Sequence, residues 1–456
     1  MIDDVPVSRI RLLYKIALIA IPVSLQMLLF SSKSMIDVMM IGQLGQEEVA
    51  AMGIAGRIVY VAILVFIGVN TGAGVLLSQY YGARSWLSLK RVQLLCMLLN
   101  LLIGAVFLLL FVDSSMLMME LSTSFTGVQK LGSEYLVMFS LSMIPMGITL
   151  SLSTGLRSIH KANIPMVFSL IGLIINIFLN YILIFGHFGF EERGIQGAAI
   201  ATSVSCLIEL ILLFSYLIKG NSVLIPKRQE LACCFSKDEF NNILRLALPV
   251  TINMLIYSLG LYVYSVVFGY VDLGALTAFT VMIPIESIAT SFLIGFATGS
   301  SVILGNEIGA GNDDNALGLA RLTIAMSFIV GCLICVVLAL LKTNILNLFP
   351  TLSHDVREIS SEFYNILLIG LVIRSLPICM IIGVLRSGGD NKFCLYQDVF
   401  AQWGVGIPFI IGIAYYFPTA FVVIYMAFFV EELVKIFLCT SRIRSGRWVK
   451  SQMVSA

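Results

Sequence analysis

The sequence predicts an all-α polytopic membrane protein: twelve transmembrane helices in two parallel six-helix repeats, an N-lobe and a C-lobe. Three observations carry this. Of 456 residues, 59% are hydrophobic and only 12% charged, with mean hydropathy +0.99. Long uncharged stretches recur along the whole chain, and the second half repeats the first at a constant offset. A soluble fold of this size has too little interior to hide so much apolar side chain, because its surface must stay largely polar. Soluble enzyme, nucleic-acid binder and disordered chain are excluded as descriptions of the whole. The formal net charge of +2 points to no polyanionic partner.

A spanning helix needs about 20 mostly apolar residues, each adding about 1.5 Å across a hydrocarbon layer of about 30 Å. Residues 58–83, 92–112, 135–156, 162–190, 246–271 and 322–341 carry no Asp, Glu, Lys or Arg. Residues 399–430 run uncharged for 32 positions, and Pro418 inside them marks a turn between two spans. With spans that hold an isolated charge, the expected limits are 14–41, 51–80, 90–112, 131–157, 163–186, 194–218, 242–270, 275–308, 316–341, 359–386, 394–415 and 418–439. A β-barrel would show short alternating segments instead.

Twelve spans place both termini on one side. Of the 28 basic residues, 20 fall on that side, among them Arg84, Lys90, Arg91, Arg157, Lys161 and Arg386, and five on the other. The positive-inside rule makes the first side cytoplasmic. The opposite loops are short and lean acidic (Glu47, Glu48, Glu191, Glu192). The first apolar run leads into Lys33 and Asp37 without a small-residue cleavage site, so no cleavable signal is expected. The nine cysteines are odd in number and none lies in an external loop, so no external disulfide framework is expected. Cys332 and Cys335 form a CxxC within an apolar span; buried small hydrophobes are the reading favoured over zinc or redox use.

A shift of 227 residues aligns Pro22 with Pro249, Met27 with Met254, Gly42 with Gly269, Gly68 with Gly295, Gly72 with Gly299, and Gly82–Ala83 with Gly309–Ala310. Leu156–Arg157–Ser158 matches Leu385–Arg386–Ser387 at 229. Each copy holds six helices, an even number, so the repeats are parallel and related by an axis along the membrane normal. The expected organisation is an N-lobe over 1–218, a polar cytoplasmic linker over 219–241, a C-lobe over 242–441 and a basic cytoplasmic tail over 442–456. Two such lobes facing a central cleft are the plan of a transporter working by alternating access.

An ionisable side chain at membrane depth costs about 2.5–3.5 kcal/mol on insertion scales, so each is a functional candidate. Asp37 lies late in the first helix, with Lys33 four residues earlier on the same face. The two form either a neutralised structural pair, or a proton or cation site with Lys33 as modulator. Pro22 removes a backbone hydrogen bond and supplies a bending point, a hinge. Asn176 and Asn180 sit four apart on the fifth helix, either bonding neighbouring helices or serving as ligands. Thr202 adds a hydroxyl near the start of the sixth. Together these four offer the oxygens that a hard cation such as Na+ prefers. In the second half, Glu286 beside Pro284 and Arg374 before Pro377 either pair structurally or meet substrate. Glu209, Glu431, Glu432 and Lys435 read as snorkelling residues near the cytoplasmic helix ends.

On PVSLQMLLFSSKSMIDVMMIGQLG in the first helix, SQYYGA closing the second, GLRS, INIFLNYILIFG, GIQGAAIATS, and LPV and GNEIGAGN in the second half, the chain resembles the MATE (multidrug and toxic compound extrusion) family over essentially its full length. The resemblance implies a twelve-helix, two-lobed antiporter that exports organic, often cationic compounds against Na+ or H+. It implies that Asp37 is the coupling residue, with Asn176, Asn180 and Thr202 at matching polar positions. Members of the NorM branch carry acids on helices seven and ten; here those positions are Tyr257 and Ser375, which favours a mechanism centred on the first lobe. Lys33 beside Asp37 departs from the family pattern.

No HExxH and no Walker-type glycine loop is present, so a gradient rather than ATP is the expected driving force, with no cofactor and no catalytic residue. A membrane-embedded enzyme is the alternative of another class. Among transporters, the runner-up is a flippase for lipid-linked oligosaccharide or peptidoglycan precursor, expected to line its cleft with several Arg for pyrophosphate; only Arg374 lies deep. The expected setting is the plasma membrane, in bacteria the inner membrane. There the chain is a monomer among bilayer lipid, handling small organic substrates and no nucleic acid. If the basic loops define the inside, a single cysteine label at Ser353 reacts from outside and one at Ser236 only after permeabilisation; reversed labelling overturns the orientation.

Overall fold

A computed structural model of the chain describes residues 9–220, 222–225, 236–347, 354–417 and 419–453. Pro418, Ser353 and residues 221 and 226–235 of the 219–241 linker lie outside these residues. Every regular element among the described residues is helical: α1 (Arg9–Ile41), α2 (Gln46–Gly82), α3 (Trp86–Glu120), α4 (Thr126–Ser140), α5 (Met143–Ser158), α6 (Asn163–Phe185), α7 (Gly194–Lys219), α8 (Lys237–Val271), α9 (Leu273–Gly309), α10 (Asp313–Asn347), α11 (His354–Ile378), α12 (Asn391–Val399), α13 (Ile407–Tyr416), α14 (Phe421–Ala427) and α15 (Val430–Arg444). Ten of the continuous helical stretches are long and apolar enough to cross a membrane, and α4 with α5 makes an eleventh that is bent by 50°.

The departures from twelve straight rods have local causes. Pro145, in the first turn of α5, has no N–H for the carbonyl of Leu141, so the expected span 131–157 breaks at Leu141–Ser142. Ser140 and Ser142 turn their hydroxyls back on the carbonyls of Val137 (2.6 Å) and Phe139 (2.7 Å). After Pro377, α11 continues as a π-helical stretch, Cys379–Leu385, and a 3-10 turn, Arg386–Gly388. A second π-helical stretch, Phe400–Gly406, joins α12 to α13 just before Pro408. The expected span 418–439 is interrupted at Phe428–Phe429, leaving α14 with 7 residues and α15 with 15.

The chain forms two compact units. One, the N-lobe, is Leu25–Thr251 with Met453–Ala456; the other, the C-lobe, is Met1–Ser24 with Ile252–Gln452. These units divide α1 after Ser24 and α8 after Thr251, each two residues beyond a proline (Pro22, Pro249) and at positions 227 apart. Where the sequence expectation separates 1–218 from 242–441, these units part within α1 and α8.

Within the N-lobe, α2 passes so close to α8 that a Cβ on Gly72 would lie 2.7 Å from the Ala247 Cα, and one on Gly68 would lie 2.8 Å from the Thr251 Cα. Within the C-lobe the equivalent glycines on α9 meet α1: Gly299 at Ala20 (2.6 Å to Cα) and Gly295 at Ser24. In lipid, small residues permit such approach and packing holds helices together. The sequence repeat is therefore a repeat of contacts.

The N-lobe core centres on Phe66, Phe111, Tyr135 and Phe139 at one end and Tyr80, Leu89, Leu156 and Leu217 at the other. The C-lobe core is an aromatic stack: Phe363 on Tyr425 (4.4 Å between centroids), Phe268 on Phe279 (4.6 Å), with Tyr264 edge-on to Phe428 (4.8 Å). Arg157 and Arg386, expected among the loop charges, are instead buried at the ends of their helices. Arg157 Nη2 donates to Thr154 Oγ1 (2.9 Å). The 442–456 tail is anchored in part: Trp448 is fully buried, Gln452 donates to the Gly388 carbonyl (3.1 Å), and Arg442 pairs with Asp390 (2.6 Å). Because overpacking costs about 1–3 kcal/mol, Gly72→Ala and Gly299→Ala should each lower the thermal unfolding midpoint in detergent. Gly318→Ala, whose Cβ meets nothing within 4 Å, should not.

Candidate functional site

Three N-lobe helices carry polar side chains on one face each. On α1 these are Gln26, Lys33 and Asp37; on α6 Ser169, Asn176 and Asn180. Both sets are spaced i, i+7, i+11, two and three turns of a 3.6-residue helix. On α7, Thr202, Ser205, Cys206 and Glu209 follow at i, i+3, i+4, i+7. Because α6 packs along α7 and α1 joins them, the faces converge.

The structure brings together the four residues proposed to hold a cation. Asp37 is 5% exposed, and Asn176 and Asn180 are fully buried. Asn180 Nδ2 donates to Asp37 Oδ1 (2.5 Å), Thr202 Oγ1 donates to Asp37 Oδ2 (3.5 Å), and Asn176 Nδ2 donates to Thr202 Oγ1 (3.2 Å). Asn180 also leans on Asn176 Oδ1 (3.4 Å). The Asn180 side-chain oxygen Oδ1 is buried and receives no donor among the described residues. Two carboxylate oxygens, one hydroxyl and two carboxamide oxygens are thus gathered on three helices, the donor set of a hard cation or of a proton shared with a carboxylate.

Lys33 forms no ion pair with Asp37. Its Nζ donates to Ser205 Oγ (2.9 Å) and lies 3.8 Å from Cys206 Sγ, leaving the carboxylate to Asn180 and Thr202. Glu209, expected to snorkel, instead accepts from Ser169 Oγ (2.6 Å) in the same seam. Sequence reasoning also passed over Asn70 and Asn100, buried on α2 and α3 and bonded to one another (3.0 Å). Single asparagines in long apolar runs were the signal available.

In the C-lobe, Glu286 and Arg374 do pair, and the pair is part of a larger cluster. Arg374 Nε donates to Glu432 Oε1 (2.7 Å), and Lys435 Nζ donates to Glu431 (3.1 Å) and lies 3.8 Å from Glu432. Tyr264 donates to Glu431 Oε2 (2.7 Å), while the Arg374 guanidinium lies over Phe428 (5.1 Å) and Phe429 (5.5 Å). Glu431, Glu432 and Lys435 do not snorkel: all three are buried. The break at Phe428–Phe429 starts α15 at Val430, which places both glutamates in its first turn, where the helix dipole favours negative charge. Tyr257 joins this cluster, its ring 5.2 Å from Lys435 Nζ. Ser375 does not; its hydroxyl returns to the Val372 carbonyl (2.7 Å) and its carbonyl accepts from Ser327 (2.8 Å). Cys332 and Cys335 are free thiols, and no group of His, Cys, Asp and Glu among the described residues suits a metal centre.

A duplicated bundle of membrane-crossing helices with a buried, oxygen-rich carboxylate site defines a polytopic membrane transporter rather than an enzyme. The chain belongs to the MatE family, whose model matches it twice, over residues 22–182 and 249–412. Each match opens at one of the repeat-related prolines. A second model, lipid II flippase MurJ, matches residues 129–271. Among curated relatives, the uncharacterized transporter YisQ of Bacillus subtilis is 27% identical over 95% of this chain and 94% of its own length. The probable multidrug resistance protein NorM of Thermotoga maritima is 23% identical over 99% and 96%. Among solved structures, an outward-facing multidrug resistance MATE family transporter of the MOP superfamily superposes with a TM-score of 0.87, at 18% identity, over 95% of this chain and 96% of that one. The fold is that of the twelve-helix MATE transporters.

Removing one partner of a buried ion pair costs about 3–5 kcal/mol, because the other charge is left uncompensated. Arg374→Gln strands Glu286 and part of Glu432, so it should lower the unfolding midpoint more than Glu286→Gln does. The double variant should recover part of the loss; strictly additive losses would show that the two do not interact.

Proposed function

We propose that this chain is a secondary active antiporter that exports organic compounds, cationic ones among them, in exchange for Na+ or H+, by alternating access of its two lobes. The observation that carries the reading is the buried Asp37 carboxylate, met by Asn180 and Thr202 from two other helices in a chain of the MatE family. A carboxylate so placed needs a countercharge or a proton, and the buried Asn180 oxygen without a donor offers one more ligand for it. The names of relatives, multidrug resistance proteins, support organic drugs or metabolites as the cargo. Pro22 is the hinge of this scheme: α1 carries Asp37 on one side of it, and the carbonyl of Leu18 lacks its i+4 donor. The distribution of basic loops supports a plasma-membrane protein, in bacteria of the inner membrane, with both termini cytoplasmic. It works as a monomer, and its coupling ion is cargo, so no cofactor is required.

The flippase reading has the match over residues 129–271 in its favour. It is disfavoured by Arg374, which is buried and already paired with Glu286 and Glu432 through Nη1 and Nε, so that a lone Nη2 is all it could offer a pyrophosphate.

Transport of a fluorescent organic cation into or out of proteoliposomes, under separately imposed Na+ and pH gradients, tests the reading. Asp37→Asn keeps shape and removes charge, so folded yield should hold while gradient-driven export falls at least about tenfold, within the usual range of coupling energies. Asn176→Ala or Asn180→Ala should cost less, because each removes one ligand and leaves the charge. Undiminished export by well-folded Asp37→Asn overturns the mechanism.

A further inference from the structure

The seam that holds Asp37 contains a second carboxylate and a built-in cation, which the reading above leaves unused. Helices α1 and α6 carry polar residues at the same i, i+7, i+11 spacing, so they form rungs. Asp37 and Asn180 make the last rung (2.5 Å). Gln26 and Ser169 make the first (3.1 Å), and from there the Ser169 hydroxyl donates to Glu209 Oε1 (2.6 Å) on α7. Lys33 belongs to the middle of the seam. Its ammonium rests on Ser205, which follows Thr202 by three residues and precedes Glu209 by four on the same face of α7. One helical turn is about 5.4 Å, so rotation of the four-carbon stem carries the ammonium to either carboxylate. Its charge already acts on both Asp37 and Glu209. The titratable groups facing the seam are Lys33 from α1, Tyr135 from α4, and Cys206 and Glu209 from α7.

Glu209 is built to take a visitor. Its Oε2 accepts no hydrogen bond among the described residues and lies against Gly172 of α6, where a Cβ would come within 3.1 Å. The buried Gln26 Oε1 has no donor either.

We propose that Lys33 is a tethered cation that makes occupancy of Asp37 by the coupling ion and of Glu209 by an organic cation mutually exclusive. Two carboxylates share one ammonium, which leaves a single negative charge for a single incoming cation. With Na+ or a proton on Asp37, that carboxylate's charge is cancelled, and Lys33 is released to Glu209 and neutralises it. When that ion leaves, Lys33 turns to Asp37, and Glu209 becomes the unpaired carboxylate that attracts a lipophilic organic cation. A compact ammonium on a flexible stem suits this exchange better than a planar guanidinium. The inference rests on Asp37 being the coupling acid, and it adds the reason why ion and substrate compete.

The test is binding of tetraphenylphosphonium to the purified full-length chain, by calorimetry, with and without saturating Na+ and at neutral and acid pH. Wild type should lose at least about tenfold in affinity when Na+ or acid is supplied. In Lys33→Gln that competition should shrink below about twofold, and in Glu209→Gln the affinity itself should fall by about tenfold. Lys33→Met, which keeps the stem without the charge, replaces Lys33→Gln if the latter does not fold. Wild-type competition in folded uncharged Lys33 variants, or unchanged affinity in Glu209→Gln, overturns the proposal, as does a wild-type chain that binds no tetraphenylphosphonium or binds it regardless of Na+ and acid. Asp37→Asn separates the two levels. If it abolishes the ion effect while Lys33→Gln retains it, the tethered cation fails and the coupling acid stands; if the effect persists in Asp37→Asn, the coupling acid itself fails.

Discussion

The chain is governed by the cost of an uncompensated charge in an apolar interior, several kcal/mol even after relaxation. The charged side chains buried deepest in these helices, Asp37, Arg374, Glu431, Glu432 and Lys435, all have polar partners on other helices or in their own turn. The C-lobe meets the cost with its own opposite charges: Arg374 between Glu286 and Glu432, Lys435 against Glu431, and Tyr264 completing the second glutamate. The N-lobe meets it differently. Asp37 is met by one amide and one hydroxyl, dipoles that lower the cost of the charge without cancelling it. That difference between a closed charge account and an open one separates a structural cluster from a site able to accept an ion.

The two lobes descend from one pattern and have diverged where charge is handled. Gly68 and Gly72 against α8, and Gly295 and Gly299 against α1, reproduce the same close approach at equivalent positions. Arg157 and Arg386 are buried at equivalent helix ends. Close backbone contact tolerates no side chain, so the glycines of both copies have stayed. Polar chemistry is bound by no such geometry, and where one copy gathers Asp37 among neutral donors the other holds a cluster of opposite charges. Tyr257 lays its ring against the Lys435 ammonium.

Proline shapes the fold through the donor it lacks. Pro145 splits one span, and Pro377 and Pro408 accompany π-helical stretches in two others. Pro22 and Pro249 sit two residues before the places where the compact units divide α1 and α8. In a medium that cannot hydrogen-bond a freed carbonyl, such sites persist only where neighbouring side chains or altered helical geometry satisfy it.

The sequence by itself determined the helical class, the membrane setting, the six-helix repeat and the buried Asp37–Asn180–Thr202 constellation. Hydropathy, self-similarity and an isolated acid at helical spacing are local quantities that a single strand of letters retains. Tertiary structure alone decided which charges meet. Glu209, Glu431, Glu432 and Lys435 lie near helix ends in the sequence, where snorkelling is the ordinary fate, yet packing buried or drew each into a network. Lys33 stands one turn from Asp37 but bonds Ser205, while Asn180 and Thr202 from two other helices meet the carboxylate. Partner choice depends on how helices rotate against one another, and that rotation is set by the summed contacts of whole helix faces, not by the spacing of residues along any one of them.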